Sequence, residues 1–252
     1  MPSYRIRALS LRRTKLGETD LIVTLLSEDG CQVRAVAKGA RKPGSRFGAR
    51  VEPYTVGDFM LATGRTLDVI TDAETVASHA LIRADYDRSQ AASVVADVLD
   101  KISVECQPEE RLFGLAVATL GALETGDGDD LLAVVVAFLA KAMAMQGYRP
   151  QFEACPVCGA RVHPGQDRFS LEAGGPLCEG CDAGVRDTAK MTDGARAALS
   201  ALLRARMAEV GELGIGRPVL TEAFALMRAF VSYHLPARCR ALDLFAADVR
   251  GE

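Results

Sequence analysis

The chain has 252 residues, 49% of them apolar and 25% charged, with a formal net charge of −3. That length and composition provide for a substantial core and exclude a disordered chain. The longest unbroken apolar run, "LLAVVVAFLA" at 131–140, would span about 15 Å as a helix, half of a hydrocarbon layer of about 30 Å, so it reads as a buried helix.

The amino-terminal "MPSYRIRALSLRR" carries charge where an export signal needs an apolar block, so a cytoplasmic protein is expected. The first 75 residues then read as strands: "YRIRALSLRR" (4–13), "DLIVTLLS" (20–27), "QVRAVAKG" (32–39), "VEPYTVGDFMLA" (51–62) and "RTLDVITDAE" (65–74), with turn signals between them. Five short strands without a convincing helix predict a closed antiparallel barrel, in which no edge is left open. An OB-fold and an SH3-like barrel both fit this pattern.

Between the third and fourth strands lies "AKGARKPGSRFGAR" (37–50), with five basic residues, no acid, and glycines and a proline that prevent helix. Four residues separate Gly39 from Gly44, as in a nucleotide-binding P-loop, but Ser45 stands where that motif needs a lysine, and no apolar helix follows. Nucleotide binding is therefore not expected. Residues 1–80 hold 12 Lys/Arg against 9 Asp/Glu, whereas the remainder holds 18 against 24. This asymmetry points to a basic module, able to meet a nucleic-acid backbone, on an acidic body. A solvated loop that only aids solubility is the bland reading of the same charges. Aromatic side chains that could stack on bases are sparse. Phe47, among the arginines, is placed to stack, Tyr4 is the other early aromatic, and Tyr54 and Phe59 read equally as core. Contacts would then be mainly to phosphate, weakly selective for sequence and sensitive to salt.

After about residue 80 the period changes. Ala91, Val94, Val95, Val98, Leu99 and Ile102 fall on one helical face, and further helices are predicted at about 109–123, 129–146, 194–209 and 218–234, with a short one after Arg240. The irregular stretch near 150–187 carries Cys155, Cys158, Cys178 and Cys181 as C-x2-C-x19-C-x2-C. Two C-x-x-C turns at this spacing predict a four-thiolate zinc site, closed to water and therefore structural, with one Zn2+ per chain. Gly159 and Gly180 suit the tight turns such pairs make. The stretch has few large apolar residues, so the metal would supply much of its folding energy. A redox dithiol, or His163 as a replacement ligand, are rival readings.

Catalytic constellations are poor. His79, His163 and His234 lie far apart, no G-x-S-x-G or H-E-x-x-H occurs, and no enzymatic activity is expected. His234 follows Phe224, Met227 and Val231 on one helical face and reads as a core or helix-end residue.

Over nearly its whole length the chain resembles RecO, a bacterial family of recombination mediators in DNA repair. The likeness is carried by "GETDLIVTLLSEDG" with "AVAKGARKPGSRFGARVEPY", and by "GYRPQFEACPVCG" with "FSLEAGGPLCEGC". It implies an α+β chain of two domains: a five-stranded OB-fold barrel at 1–79 that binds DNA, and an all-α domain at 80–252 with the zinc module inserted at about 150–187. It further implies binding of single- and double-stranded DNA and annealing of complementary strands without ATP. With RecR and RecF, the family loads RecA onto DNA covered by single-strand-binding protein. Carried over by position, Lys38, Arg41, Lys42, Arg46 and Arg50 would grip DNA, Arg34 and Arg12 would be weaker contacts, and the four cysteines would hold zinc. The protein would then be cytoplasmic and nucleoid-associated, with no membrane or nucleotide partner. Two other classes fit the residues alone: a scaffold whose basic loop binds an acidic protein tail, and an RNA-associated zinc protein.

Overall fold

Five strands open the chain: β1 (Ser3–Leu16), β2 (Asp20–Ser27), β3 (Gln32–Ala37), β4 (Val56–Ala62) and β5 (Asp68–Ala77). They close into a barrel in the order β1-β2-β3-β5-β4, with β3 and β5 parallel and the other neighbours antiparallel. A five-stranded barrel of this order is an OB-fold. The protein is described by a computed structural model that covers residues 2–250.

The long β1 serves two partners, β4 through Ser3–Leu9 and β2 through Ala8–Leu16, and a bulge between Ser10 and Arg12 lets it bend from one to the other. Alternation along the strands sends Ala8, Val23, Leu25, Ala35, Ala37, Phe59 and Leu61 into the barrel. Leu9, Leu11, Leu26 and Val56 instead pack against the helices.

Two strand boundaries differ from the sequence reading. The fourth strand starts at Val56 rather than Val51, because residues 49–51 form a 3-10 turn, Pro53 follows, and Tyr54 takes a positive φ of 71°. The buried Ser10 fixes this bend, its hydroxyl donating to the Val51 carbonyl and its own carbonyl accepting from Tyr54 N–H. The fifth strand begins at Asp68, three residues later than its sequence suggests.

The helical part comprises α1 (Ala80–Ala84), α2 (Tyr86–Ile102), α3 (Glu110–Thr125), α4 (Asp129–Met145), a small module, α6 (Asp193–Arg204), α7 (Arg217–His234) and α8 (Arg240–Arg250). Asp85 caps α2 by accepting from Arg88 N–H at 2.9 Å, and Thr192 caps α6 in the same way through Ala195 N–H. The apolar run at 131–140 is buried throughout and makes α4 the central helix, surrounded by α2, α3, α6 and α7. The sixth helix ends at Arg204, not at residue 209. Ala205 and Arg206 are extended, and two 3-10 turns follow that still bury Met207 and Val210. Apolar spacing continues past the end of the helix, so periodicity alone could not mark it.

Between α4 and α6 the module contains β6 (Arg168–Ser170), β7 (Gly175–Pro176), α5 (Glu179–Asp182) and β8 (Thr188–Lys190), with strands ordered β7-β6-β8. Its own buried cluster is only Cys155, Val162 and Leu177. Phe152 and Phe169 tie it to the helical core through an edge contact of Phe169 with Phe230, centroids 5.8 Å apart. His234, near the carboxyl end of α7, donates from Nε2 to the Leu171 carbonyl at 2.8 Å and stacks on Tyr148, which matches a helix-end role.

Candidate nucleic-acid interface and metal centre

The basic loop is anchored by its own apolar residues. Ala40, Phe47 and Val51 are buried in the barrel core, with Phe47 5% exposed. Phe47 is therefore no stacking platform, contrary to its place among the arginines in sequence. Phe59 is fully buried and Tyr54 packs against the helical core. Tyr4 stays partly exposed, but its hydroxyl is bonded to Asp68.

With the apolar residues turned in, the cations turn out. Lys38, Arg41, Lys42 and Arg46 are exposed and Arg50 is half-exposed. Three arginines are held by main-chain carbonyls, which hold a guanidinium in place without neutralising it. Arg41 donates to Glu18 O at 2.8 Å, Arg46 to Thr71 O at 2.8 Å, and Arg50 to Ala73 O at 2.6 Å. The Arg46 guanidinium also lies over the Phe47 ring, 4.7 Å from its centroid. Among the described residues, only Arg50 of the five has a carboxylate in ion-pair range, Asp72 at 3.8 Å. The row of cations thus runs from the β1–β2 turn to β5.

Arg12 and Arg34 stand apart from this row. They flank Thr24 on the outer face of β1, β2 and β3, and Arg12 is 4.0 Å from Asp100 of α2. Lys15, which the sequence reading passes over, stands exposed at the barrel end where the loop begins, in register with Leu21 and Ala37. Only the strand pairing brings it there.

The second centre joins four thiols. The sulfurs of Cys155, Cys158, Cys178 and Cys181 lie within 4.8 Å of one another, and those of Cys158 and Cys178 are 3.5 Å apart. That separation is far from a disulfide bond of about 2.05 Å. It is close to the edge of about 3.8 Å that four sulfurs define around a metal at about 2.3 Å. The first turn is closed by Gly159 N–H donating to the Cys155 carbonyl, with Gly159 at φ +76°, a conformation only glycine adopts without strain. Gly180 has no such role, since it lies in the short helix α5. His163 is exposed and outside the group of four.

Burial opposes the Cys155 thiolate, but backbone N–H groups of Cys178, Cys158 and Val157 outweigh it and bring its pKa to about 6. Cys181 is pushed up to about 12, chiefly by hydrogen bonds to the Cys158 and Cys178 sulfurs. Crowded thiols that share protons in this way are a donor set that a divalent cation fits.

A sequence profile described as "Recombination protein O N terminal" matches residues 1–79, and one described as "Recombination protein O C terminal" matches residues 83–243. The chain belongs to the RecO family of DNA repair proteins. Among curated relatives, the DNA repair protein RecO of Nocardioides sp. is 40% identical over 92% of this chain and 94% of its own length. RecO of Rubrobacter xylanophilus is 37% identical over 94% of each chain, and RecO of Desulforamulus reducens is 32% identical over 96% of this chain and 94% of its own. In this RecO chain the basic loop belongs to the barrel and the four thiols to the helical part. Among the described residues no helix is long and apolar enough to cross a membrane.

Proposed function

We propose that this RecO-family chain is a non-enzymatic mediator that binds single- and double-stranded DNA through phosphate contacts and anneals complementary strands without a nucleotide. In the cell it would act at the nucleoid with RecR and RecF, loading RecA onto DNA covered by single-strand-binding protein. The observation that carries the DNA reading is the burial of Ala40, Phe47 and Val51, which plants the loop on the barrel and turns five cations to solvent. Two like-charged strands approach more readily when one surface neutralises phosphates on both, so annealing needs no chemical step. With no exposed aromatic in the loop, affinity rests on phosphates and falls with salt. Lys38, Arg41, Lys42 and Arg46 form the main grip with Arg50 beside them. Lys15 adds to that end of the barrel, and Arg34 and Arg12 extend the surface toward α2.

Zn2+ is the metal assigned to Cys155, Cys158, Cys178 and Cys181. These four residues would hold it as thiolates with no position left for water, so the chemistry it would supply is structural: binding would displace the shared protons and join both turns into one unit.

Replacing Lys38, Arg41, Lys42 and Arg46 together by alanine tests the grip. Affinity for a labelled oligonucleotide should fall, and the slope of log K against log salt should flatten by up to about four units. Annealing of complementary oligonucleotides, followed by fluorescence, should slow in parallel. An unchanged slope in a folded variant would remove the loop from the interface.

A further inference from the structure

Asp20, the first residue of β2, is an acid inside the basic site. Its Oδ1 accepts from the Gly39 backbone N–H at 2.8 Å and from the Thr19 hydroxyl at 2.9 Å. Gly39 has φ +65° and opens a turn in which Lys42 N–H donates to the Gly39 carbonyl at 3.1 Å. Beside this, the Thr19 carbonyl accepts from Arg41 N–H at 2.9 Å, and the Gly17 and Glu18 carbonyls accept from the Arg41 guanidinium. The β1–β2 turn and the first half of the basic loop are thus cross-braced, with Asp20 at the centre. The Gly39 N–H and the Thr19 hydroxyl hold its carboxyl below the usual range against the effect of burial, and the charges of Lys38 and Lys42 add to this.

A carboxylate at this place repels phosphate, so its electrostatic effect on DNA binding is adverse. Its hydrogen bonds act in the opposite sense. We propose that Asp20 is a positioning residue of the phosphate-binding loop: it pins the Gly39 turn so that Lys38 and Lys42 meet the DNA backbone already ordered. This rests on the loop's being the DNA grip. A loop ordered before binding loses less freedom on binding, so more of each phosphate contact remains as affinity.

The two effects predict opposite signs, which makes them separable. Asp20→Asn removes the charge but keeps a carbonyl oxygen for the Gly39 N–H. Asp20→Ala removes both. Asp20→Gln is uncharged like the asparagine variant but places its oxygen one methylene further out. Affinity for a labelled single-stranded oligonucleotide is measured for each by anisotropy at low and moderate salt, with thermal unfolding as a check on the fold. The positioning role predicts that Asp20→Asn binds as well as the parent or up to about threefold more tightly, the effect of one screened charge. Asp20→Ala and Asp20→Gln should bind about fivefold more weakly, the worth of one exposed hydrogen bond, although both also lose the repelling charge. Amide exchange at residues 39–42 should quicken in those two variants and not in Asp20→Asn.

If Asp20→Ala and Asp20→Gln tighten binding as much as Asp20→Asn, the carboxylate acts through its charge alone and the positioning role is overturned. Should Asp20→Ala fail to fold, the Asn–Gln pair decides, since those two differ only in where the oxygen lies. A Lys38→Ala/Lys42→Ala variant separates the underlying reading. If it leaves affinity and salt slope unchanged, the loop is not the DNA grip and the role assigned to Asp20 falls with it. If it weakens binding while the Asp20 variants behave alike, only the positioning role is lost.

Discussion

Phe47 lies between Arg46 and Gly48 in a stretch with five cations, yet its ring fills the barrel end beside Ala40 and Val51. Phe47→Ala should therefore cost about 3–5 kcal/mol of stability, because it removes a buried ring and leaves a cavity; denaturant unfolding measures this. A surface stacking residue would instead leave stability nearly unchanged. Asp243 offers a second test on single residues. Arg228 and Arg238 both donate to it, at 2.8 and 2.6 Å, and hold its carboxyl below the ordinary value. A depressed pKa means that the charged form is favoured by folding. The stabilisation is present above the ordinary carboxyl range and is lost as the pH falls through the lowered value. Asp243→Asn should thus be less stable than the parent at neutral pH, and the difference should close as the pH drops below about 4; thermal unfolding against pH reads both parts.

Among the elements, the four-thiol module has the least core of its own, with Cys155, Val162 and Leu177 as its buried cluster. Removal of metal by a chelator should open residues 150–190 to protease and to rapid amide exchange, while protection in β1–β5 stays. Equal loss in both would mean that the thiols are not what holds the module. Acid should have the same effect as the chelator, because protons compete with a metal for thiolates. Helices α4 and α7 pack mainly on each other and on α2, α3 and α6, so collapse of the module should leave them protected.

On the scale of the whole molecule, the barrel keeps its own interior cluster but lends its outer face to the helical core. Leu9, Leu11, Leu26 and Val56 leave the barrel surface to join the cluster around α2 and α4. The β2–β3 turn also fits closely against the segment before α3. A Cβ at Gly30 would lie 2.1 Å from the Glu109 carbonyl oxygen, and Gln32 N–H donates to the Val104 carbonyl at 3.2 Å. The 252-residue chain should accordingly unfold in a single transition seen alike by barrel and helix probes. An isolated 1–79 fragment should be much less stable, since four large apolar side chains would return to water at roughly 1.5–3 kcal/mol each. Two well-separated transitions would show that the shared packing is weak.

The sequence by itself determined the main elements and the group of four thiols. Turn residues marked five strands, the 3.6-residue period marked the main helices, and paired C-x-x-C spacing marked a metal-binding group, because each of these signals is local. The ten-residue apolar run at 131–140 also declared a buried helix, since its length excludes a membrane span. What only the tertiary structure decided depends on residues far apart in the chain. The inward turn of Phe47, the diversion of Arg12 toward Asp100, the exposure of Lys15 beside the loop and the bond from Gly39 to Asp20 all follow from strand pairing and barrel closure. A side chain's direction in a loop is set by what the fold leaves vacant to fill, and for Phe47 that space is defined by strands distant in the chain rather than by its neighbours in sequence.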